Sequence, residues 1–298
     1  VLHHILVHPR MTFYYLKGNH DNDNFLSGLE EPPDNLKLFG SQWTTYTEGE
    51  GNIVISGVEL SSENIGGVYP SMVLDEKKFN IVMLHGQESE GAVKDKAEII
   101  NLKALRNKGI DYLALGHVHA YKKEQLDARG VYCYAGCLEG RGFDECGEHG
   151  FSLVDIDEKN LRIDNSFESI SQRTLHEVSV DVSGCEVTTS AMDQVARKLR
   201  ELSIDKEDMV KIILTGDRNV GSEALDTDNI YSTFCEDYFF IRVKDETGIN
   251  IDYNSFINDK SLRGEFIRRV IDRGDLTESD KKEIIRLGIS ALAGKGVK

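Results

Sequence analysis

The sequence predicts a mixed α/β (α+β) chain of two units: two packed sheets with flanking helices over 1–168, and a smaller α/β unit over 169–298. Three observations predict this. Short β-type runs crowd the first half with few helices between them, which is the pattern of layered sheets. Three of those runs stop at polar turns rich in Gly and His, as strands do where a sheet presents its chemistry. After a relaxed stretch at Ser166–Arg173 the pattern changes to strands alternating with amphipathic helices.

Met11–Leu16 reads as the first strand and runs into Gly18-Asn19-His20-Asp21. Ile53–Val58 follows, then Phe79–Leu84 into His85-Gly86, and Tyr112–Leu115 into Gly116-His117-Val118-His119. Val131–Ala135 and Phe151–Ile156 complete the strands of the first unit. Its one helix is predicted at Lys96–Asn107, where Ile99, Ile100, Leu102 and Leu105 keep roughly helical spacing and Gly109 supplies a stop. The second unit reads as strand Leu175–Val182, helix Ser190–Leu202, strand Met209–Thr215 and strand Tyr238–Val243, then two helices. Gly216–Asp237, rich in Gly, Asp, Asn and Ser, reads as a long loop. The penultimate helix lines up Leu262, Phe266, Ile267 and Val270 on one face. The last opens on Thr277-x-x-Asp280, a capping-box start, and is expected to bury Ile284, Ile285 and Leu292.

Composition narrows the function classes. Net charge is −16, with 16 Lys/Arg against 27 Asp/Glu in residues 1–170 and 19 against 24 in 171–298. A simple electrostatic nucleic-acid binder is excluded, so any nucleic-acid contact must come from a local patch, bound metals or a partner. No apolar run approaches the ~20 residues of a membrane span, and the His-rich opening is no secretory leader. The five cysteines are odd in number and contain no Cys-x-x-Cys pair, which predicts reduced thiols and a cytoplasmic setting.

The chemistry concentrates in the three strand-end motifs. Asn19 offers an amide oxygen, and His20 follows it on the same turn with Asp21 available to orient its ring. His85 by itself reads as a hydrogen-bonded boundary residue. His117 and His119, as alternate residues of an extended strand end, are expected to face one side. Each motif has an ordinary reading as a polar turn. All three in this order point instead to one metal site for a borderline ion such as Mn, Fe or Zn. His4, His8, His149 and His176 read as structural or surface residues.

Together these motifs resemble the calcineurin-like metallophosphoesterase superfamily, whose signatures include G-N-H-[DE], a lone His often followed by Gly, and G-H-x-H. The resemblance covers residues 11–167 and implies a two-sheet metallophosphoesterase sandwich. The segment Tyr134–Glu145 resembles the G-S-L-E-G-R-G-F-D-E stretch of bacterial DNA repair exonucleases of the SbcD/YhaO type, with Cys137 standing where Ser is usual. The C-terminal half is more loosely similar to the small α/β capping domain that orients DNA in those nucleases. The resemblance implies two divalent metal ions, manganese first among them. It makes Asn19, His85 and His117 ligands of one ion and His119 a ligand of the other. His20, paired with Asp21, becomes the catalytic residue that stabilises the transition state or protonates the leaving oxygen. DNA, an SMC-like ATPase and a second copy of the chain become the partners. The family's D-x-H and G-D-x-x-[DE] motifs would fall upstream of Val1, so the chain is expected to lack its N-terminal strands and to be inactive as it stands. A phosphatase or nucleotide phosphodiesterase is the alternative enzyme, and a non-catalytic scaffold the alternative of another class.

Overall fold

The computed structural model describes residues 2–19, 21, 31–91, 96–160, 162–219, 224–250 and 259–292. The chain packs as two units, Val1–Arg141 with Glu148–Gln172 and Gly142–Gly147 with Arg173–Lys298.

The first unit is organised by a sheet of six strands: β3 (Thr44–Glu48), β4 (Ile53–Gly57), β5 (Phe79–His85), β8 (Tyr112–Gly116), β9 (Lys122–Gln125) and β10 (Val131–Tyr134). Their spatial order is β3-β4-β5-β8-β10-β9, parallel from β4 through β10 and antiparallel at both edges. Period-two alternation gives the sheet two buried faces. Val82, Leu84, Leu113, Leu115, Tyr132 and Tyr134 enter one core with Ile100, Leu102 and Leu105. Phe79, Ile81, Tyr112, Ala114, Val131 and Cys133 enter another, covered by Val154, Ile156 and Ile163. Those three come from the antiparallel pair β11 (Gly150–Asp157) and β12 (Arg162–Ser169), which forms the second layer.

Ahead of this sheet, the helix α1 (Leu2–Val7) packs Ile5 against Phe13, Tyr15, Leu36 and Leu38. These side chains belong to a parallel pair, β1 (Phe13–Tyr15) and β2 (Leu36–Leu38). The pair is fixed beside β3: Tyr46 donates its hydroxyl to the Leu38 carbonyl at 2.7 Å, and the Tyr14, Phe39 and Tyr46 rings cluster with centroids 5.5–6.3 Å apart. The first strand is thus shorter than the predicted Met11–Leu16, and Met11 is an exposed residue ahead of it.

One difference from the sequence expectation has a clear cause. The helix predicted at Lys96–Asn107 is a strand, β7 (Ile99–Asn101), followed by one helical turn, α3 (Leu102–Leu105). Ile99 and Ile100 are β-branched and pair with β6 (Gln87–Ser89), and the Asn101 side chain accepts the Ala104 N–H at 3.2 Å to start the turn. The short helix α2 (Ile65–Val68) was not foreseen.

The second unit centres on a parallel sheet of β13 (Leu175–Asp181), β14 (Met209–Thr215) and β16 (Phe240–Asp245). The helices α4 (Thr188–Leu202) and α5 (Thr227–Phe234) cover it through Ala191, Val195, Leu199, Ile230 and Phe234. The expected loop Gly216–Asp237 therefore contains α5, and also β15 (Asp217–Asn219), which pairs with β17 (Gly248–Asn250). Asp226 caps α5 by accepting the Asn229 N–H at 3.0 Å. The helices α6 (Leu262–Ile271) and α7 (Glu278–Leu292) pack through Ile267, Val270 and Ile285. Leu262 and Leu292 are exposed, against expectation, because each lies at a helix end beyond the packed turn. The capping box is made in both directions, Asp280 N–H to Thr277 Oγ1 at 3.1 Å and Thr277 N–H to the Asp280 carboxylate at 3.2 Å. No helix among the described residues is long and apolar enough to cross a membrane.

Candidate metal centre

β5 and β8 run in register, and their final pair is His85 opposite Gly116. A side chain on Gly116 would put its Cβ 2.8 Å from His85 Nδ1, and one on Gly18 would lie 2.7 Å from His85 Cε1. Both distances are shorter than real Cβ contacts. The His85 imidazole therefore lies in a slot that only two glycines leave open. These glycines open the Gly-Asn-His-Asp and Gly-His-Val-His motifs, so each motif contributes a space as well as donors.

The turn after β1 brings Asn19 to the same place. Asp21 holds that turn: its carboxylate accepts the Gly18 N–H at 2.9 Å and the Tyr15 hydroxyl at 3.3 Å, and its own N–H donates to the Gly18 carbonyl at 3.2 Å. Burial first, and the Asp21 carboxylate second, push the Tyr15 phenol above its ordinary range, which keeps it a donor. Asn19 Oδ1 lies 3.0 Å from His85 Nε2. His117 stands edge-on to His85, with ring centroids 5.5 Å apart and planes at 89°.

The expected reason for His117 and His119 to share a side was extended-strand alternation, and that reason does not hold. β8 ends at Gly116, and His117 takes φ +107°, a conformation that L side chains rarely adopt. Strain of this kind costs on the order of 1–3 kcal/mol and gathers at functional sites. A sharp turn, not a strand, aims the two rings. Gly18, Asn19, Asp21, His85, His117, His119 and Arg141 line one open cleft of about 600 Å³. His20 lies outside the described residues.

Arg141 is the residue that sequence reasoning passed over. Its guanidinium donates to His119 Nδ1 at 3.3 Å and supplies a cation to the cleft wall. Its place in Gly140-Arg141-Gly142, inside the nuclease-like segment, was the available signal. Farther in, the fully buried Tyr134 ties the end of β5 to β10: its hydroxyl donates to the Gly86 carbonyl at 2.8 Å and accepts the Glu88 N–H at 2.8 Å. His149 and His176 have structural partners, Cys137 Sγ at 3.2 Å and the Asp208 carboxylate at 2.9 Å.

The donors fit a divalent metal. One amide oxygen and three imidazoles suit a borderline ion such as Mn, Fe or Zn. The 3.0 Å between Asn19 Oδ1 and His85 Nε2 equals the spacing of two ligands at right angles on one ion, given bonds of ~2.0–2.2 Å. The glycine slot is what such an imidazole needs in order to reach it.

Comparisons with known proteins bear on the family of the first unit. Residues 3–121 match the calcineurin-like phosphoesterase family. The chain is 28% identical over 197 residues to an uncharacterized metallophosphoesterase, YhaO, of Bacillus subtilis, an alignment covering 62% of this chain and 46% of that protein. It is 25% identical over 316 aligned positions to the DNA double-strand break repair protein Mre11 of Sulfurisphaera tokodaii, covering 93% of this chain and 77% of the relative. The chain thus spans less than half the length of the first relative and about three quarters of the second.

Proposed function

Because residues 3–121 form a calcineurin-like phosphoesterase domain, we propose that this protein is a metal-dependent phosphodiesterase acting on DNA, with exonuclease character. The observation that carries the reading is convergence: donors from three separate strand ends line one cleft, two of them 3.0 Å apart. Asn19, His85 and His117 would hold one divalent ion and His119 a second, manganese being the first choice. When bound, such ions neutralise the phosphoryl oxygens as Lewis acids.

The chain's own groups do the rest. Asp21, through Gly18 and Tyr15, keeps the turn that aims Asn19. His20, between Asn19 and Asp21, is assigned as the general acid for the departing sugar oxygen. Arg141 would donate N–H groups to a non-bridging phosphate oxygen, a task that suits a guanidinium. The unit from Arg173 onward is assigned the orientation of DNA, and a homodimer joined to an SMC-like ATPase in the cytoplasm completes the reading. The repair-protein relative supports DNA as substrate, and an odd number of cysteines with no Cys-x-x-Cys pair supports a reducing compartment.

The test uses the complete gene product with end-labelled duplex DNA, a nucleotide diester and a phosphomonoester. Degradation of DNA that requires Mn and stops on chelation is expected. Turnover of the monoester alone would favour a phosphatase, and silence toward all three with metal bound would favour a scaffold. DNA hydrolysis that survives exhaustive chelation would overturn the metal mechanism.

A further inference from the structure

One cluster of metal-binding side chains beside the cleft has no part in the reading above. Cys137 stands where the nucleases that its segment resembles carry Ser. Its Sγ and an imidazole nitrogen of His119 lie within 4.8 Å of each other. The backbone holds the two residues together: the Cys137 N–H donates to the His119 carbonyl at 3.0 Å. Gly136, at φ +80°, permits this approach, since a Cβ there would lie 2.8 Å from the same carbonyl oxygen. His149, 3% exposed, sets its Nδ1 3.2 Å from the same sulfur. The Gly150 N–H donates to the Cys137 carbonyl at 3.1 Å, so His149 and Cys137 are fixed to one another by backbone as well as side chain.

We propose that Cys137 is a metal ligand of this cleft, acting with His119 and oriented by His149, and that it makes the His119 end of the site favour thiophilic divalent ions. The inference rests on the cleft being a metal centre. Sulfur and nitrogen bonds of ~2.3 and ~2.0–2.1 Å put two tetrahedral ligands ~3.6 Å apart, so from a separation of no more than 4.8 Å a side-chain rotation closing at most about 1.2 Å joins both to one ion. Cys137 binds as thiolate and its proton goes to solvent. An Nδ1–H donated to the ligand sulfur is the outer partner that such a ligand uses to hold its orientation. The neighbouring imidazole and amide donors accept Mn, Fe or Zn, whereas the sulfur tilts the choice toward Zn, Co and Cd.

Cobalt(II) titration of the reduced chain tests this without any activity measurement. Visible ligand-field bands report occupancy, and a near-ultraviolet thiolate-to-cobalt charge-transfer band reports sulfur. Both are expected for the wild type. Cys137→Ser should lose the near-ultraviolet band and keep the visible ones, and Cys137→Ala gives the same readout should Ser itself bind. His149→Gln should weaken cobalt binding ~10-fold or more. Visible bands with no near-ultraviolet band, or a near-ultraviolet band that persists in both Cys137 variants, would overturn the assignment and leave the metal centre standing. No cobalt binding at all would overturn the metal centre, and this inference with it.

Discussion

Gly18→Ala is the smallest change that tests how the centre is built. It adds one methyl group 2.7 Å from His85 Cε1, about 0.7 Å inside the 3.4 Å at which ordinary contact begins. The turn that carries Gly18 is held by Asp21, through its Gly18 and Tyr15 bonds, so the ring must yield. Gly116 closes the opposite side, where a Cβ would already lie 2.8 Å from Nδ1, so the ring cannot simply slide across. A displacement of this size exceeds the ~0.5 Å tolerance of a working site, and it acts directly on the 3.0 Å spacing between Asn19 Oδ1 and His85 Nε2. Metal affinity should fall ~10–100-fold, the usual cost of disturbing what orients a ligand. Fold stability should fall by only ~1 kcal/mol, at the low end for overpacking because Gly18 is half-buried. Mn or Co titration calorimetry beside a thermal melt separates the two effects. Gly116→Ala should reproduce the loss from the other wall. Wild-type affinity in both variants, with unchanged melting, would refute the slot as the device that aims His85.

Four further expectations follow from other contacts. In the complete gene product, His20→Ala should lower turnover ~10²-fold or more with metal retained, and His117→Ala should lose metal; equal metal loss in both, by elemental analysis, would make His20 a ligand. Tyr134→Phe removes a fully buried hydroxyl bonded to Gly86 and Glu88, and denaturant unfolding should show a loss of about 1–3 kcal/mol. Arg129→Ala strands Asp111, which is 8% exposed and holds Arg129 through two bonds of 2.8 and 2.9 Å. Because Asp111 keeps the Asn80 N–H at 2.8 Å, the loss should be about 2 kcal/mol, below the ~3–5 of a fully buried pair. Burial opposes ionisation of Glu88, but the bond from the Lys122 ammonium at 2.7 Å and its charge outweigh it and hold the carboxyl below the ordinary 4.5. Its contribution is therefore present above that value and lost as pH falls through the lower folded pKa. The stability gap between wild type and Glu88→Gln should shrink on acidification from neutral pH, and a gap constant with pH would refute the linkage.

Strands whose side chains enter a core from both faces were legible in the sequence. β4, β5, β8, β10 and β14 stand close to their predicted bounds, because short apolar runs rich in β-branched, aromatic and Leu residues and bounded by turn residues favour strands buried on both faces. The donors of the centre were legible for a related reason: Asn and His directly after an apolar run must leave the sheet at its edge. Elements whose state depends on a distant partner were not. β12 reads Arg-Ile-Asp-Asn-Ser-Phe-Glu-Ser, and only pairing with β11 and one half-buried face make it a strand. Ile99 and Ile100 carry helical spacing yet extend, because β6 offers a ladder that four local residues of helix cannot match. Within the centre, residue types came from the sequence, but the aim of each came from packing. The strained turn at His117, the slot between Gly18 and Gly116, and Arg141 against His119 are set by backbones far apart in the chain that meet only once the sheet has formed.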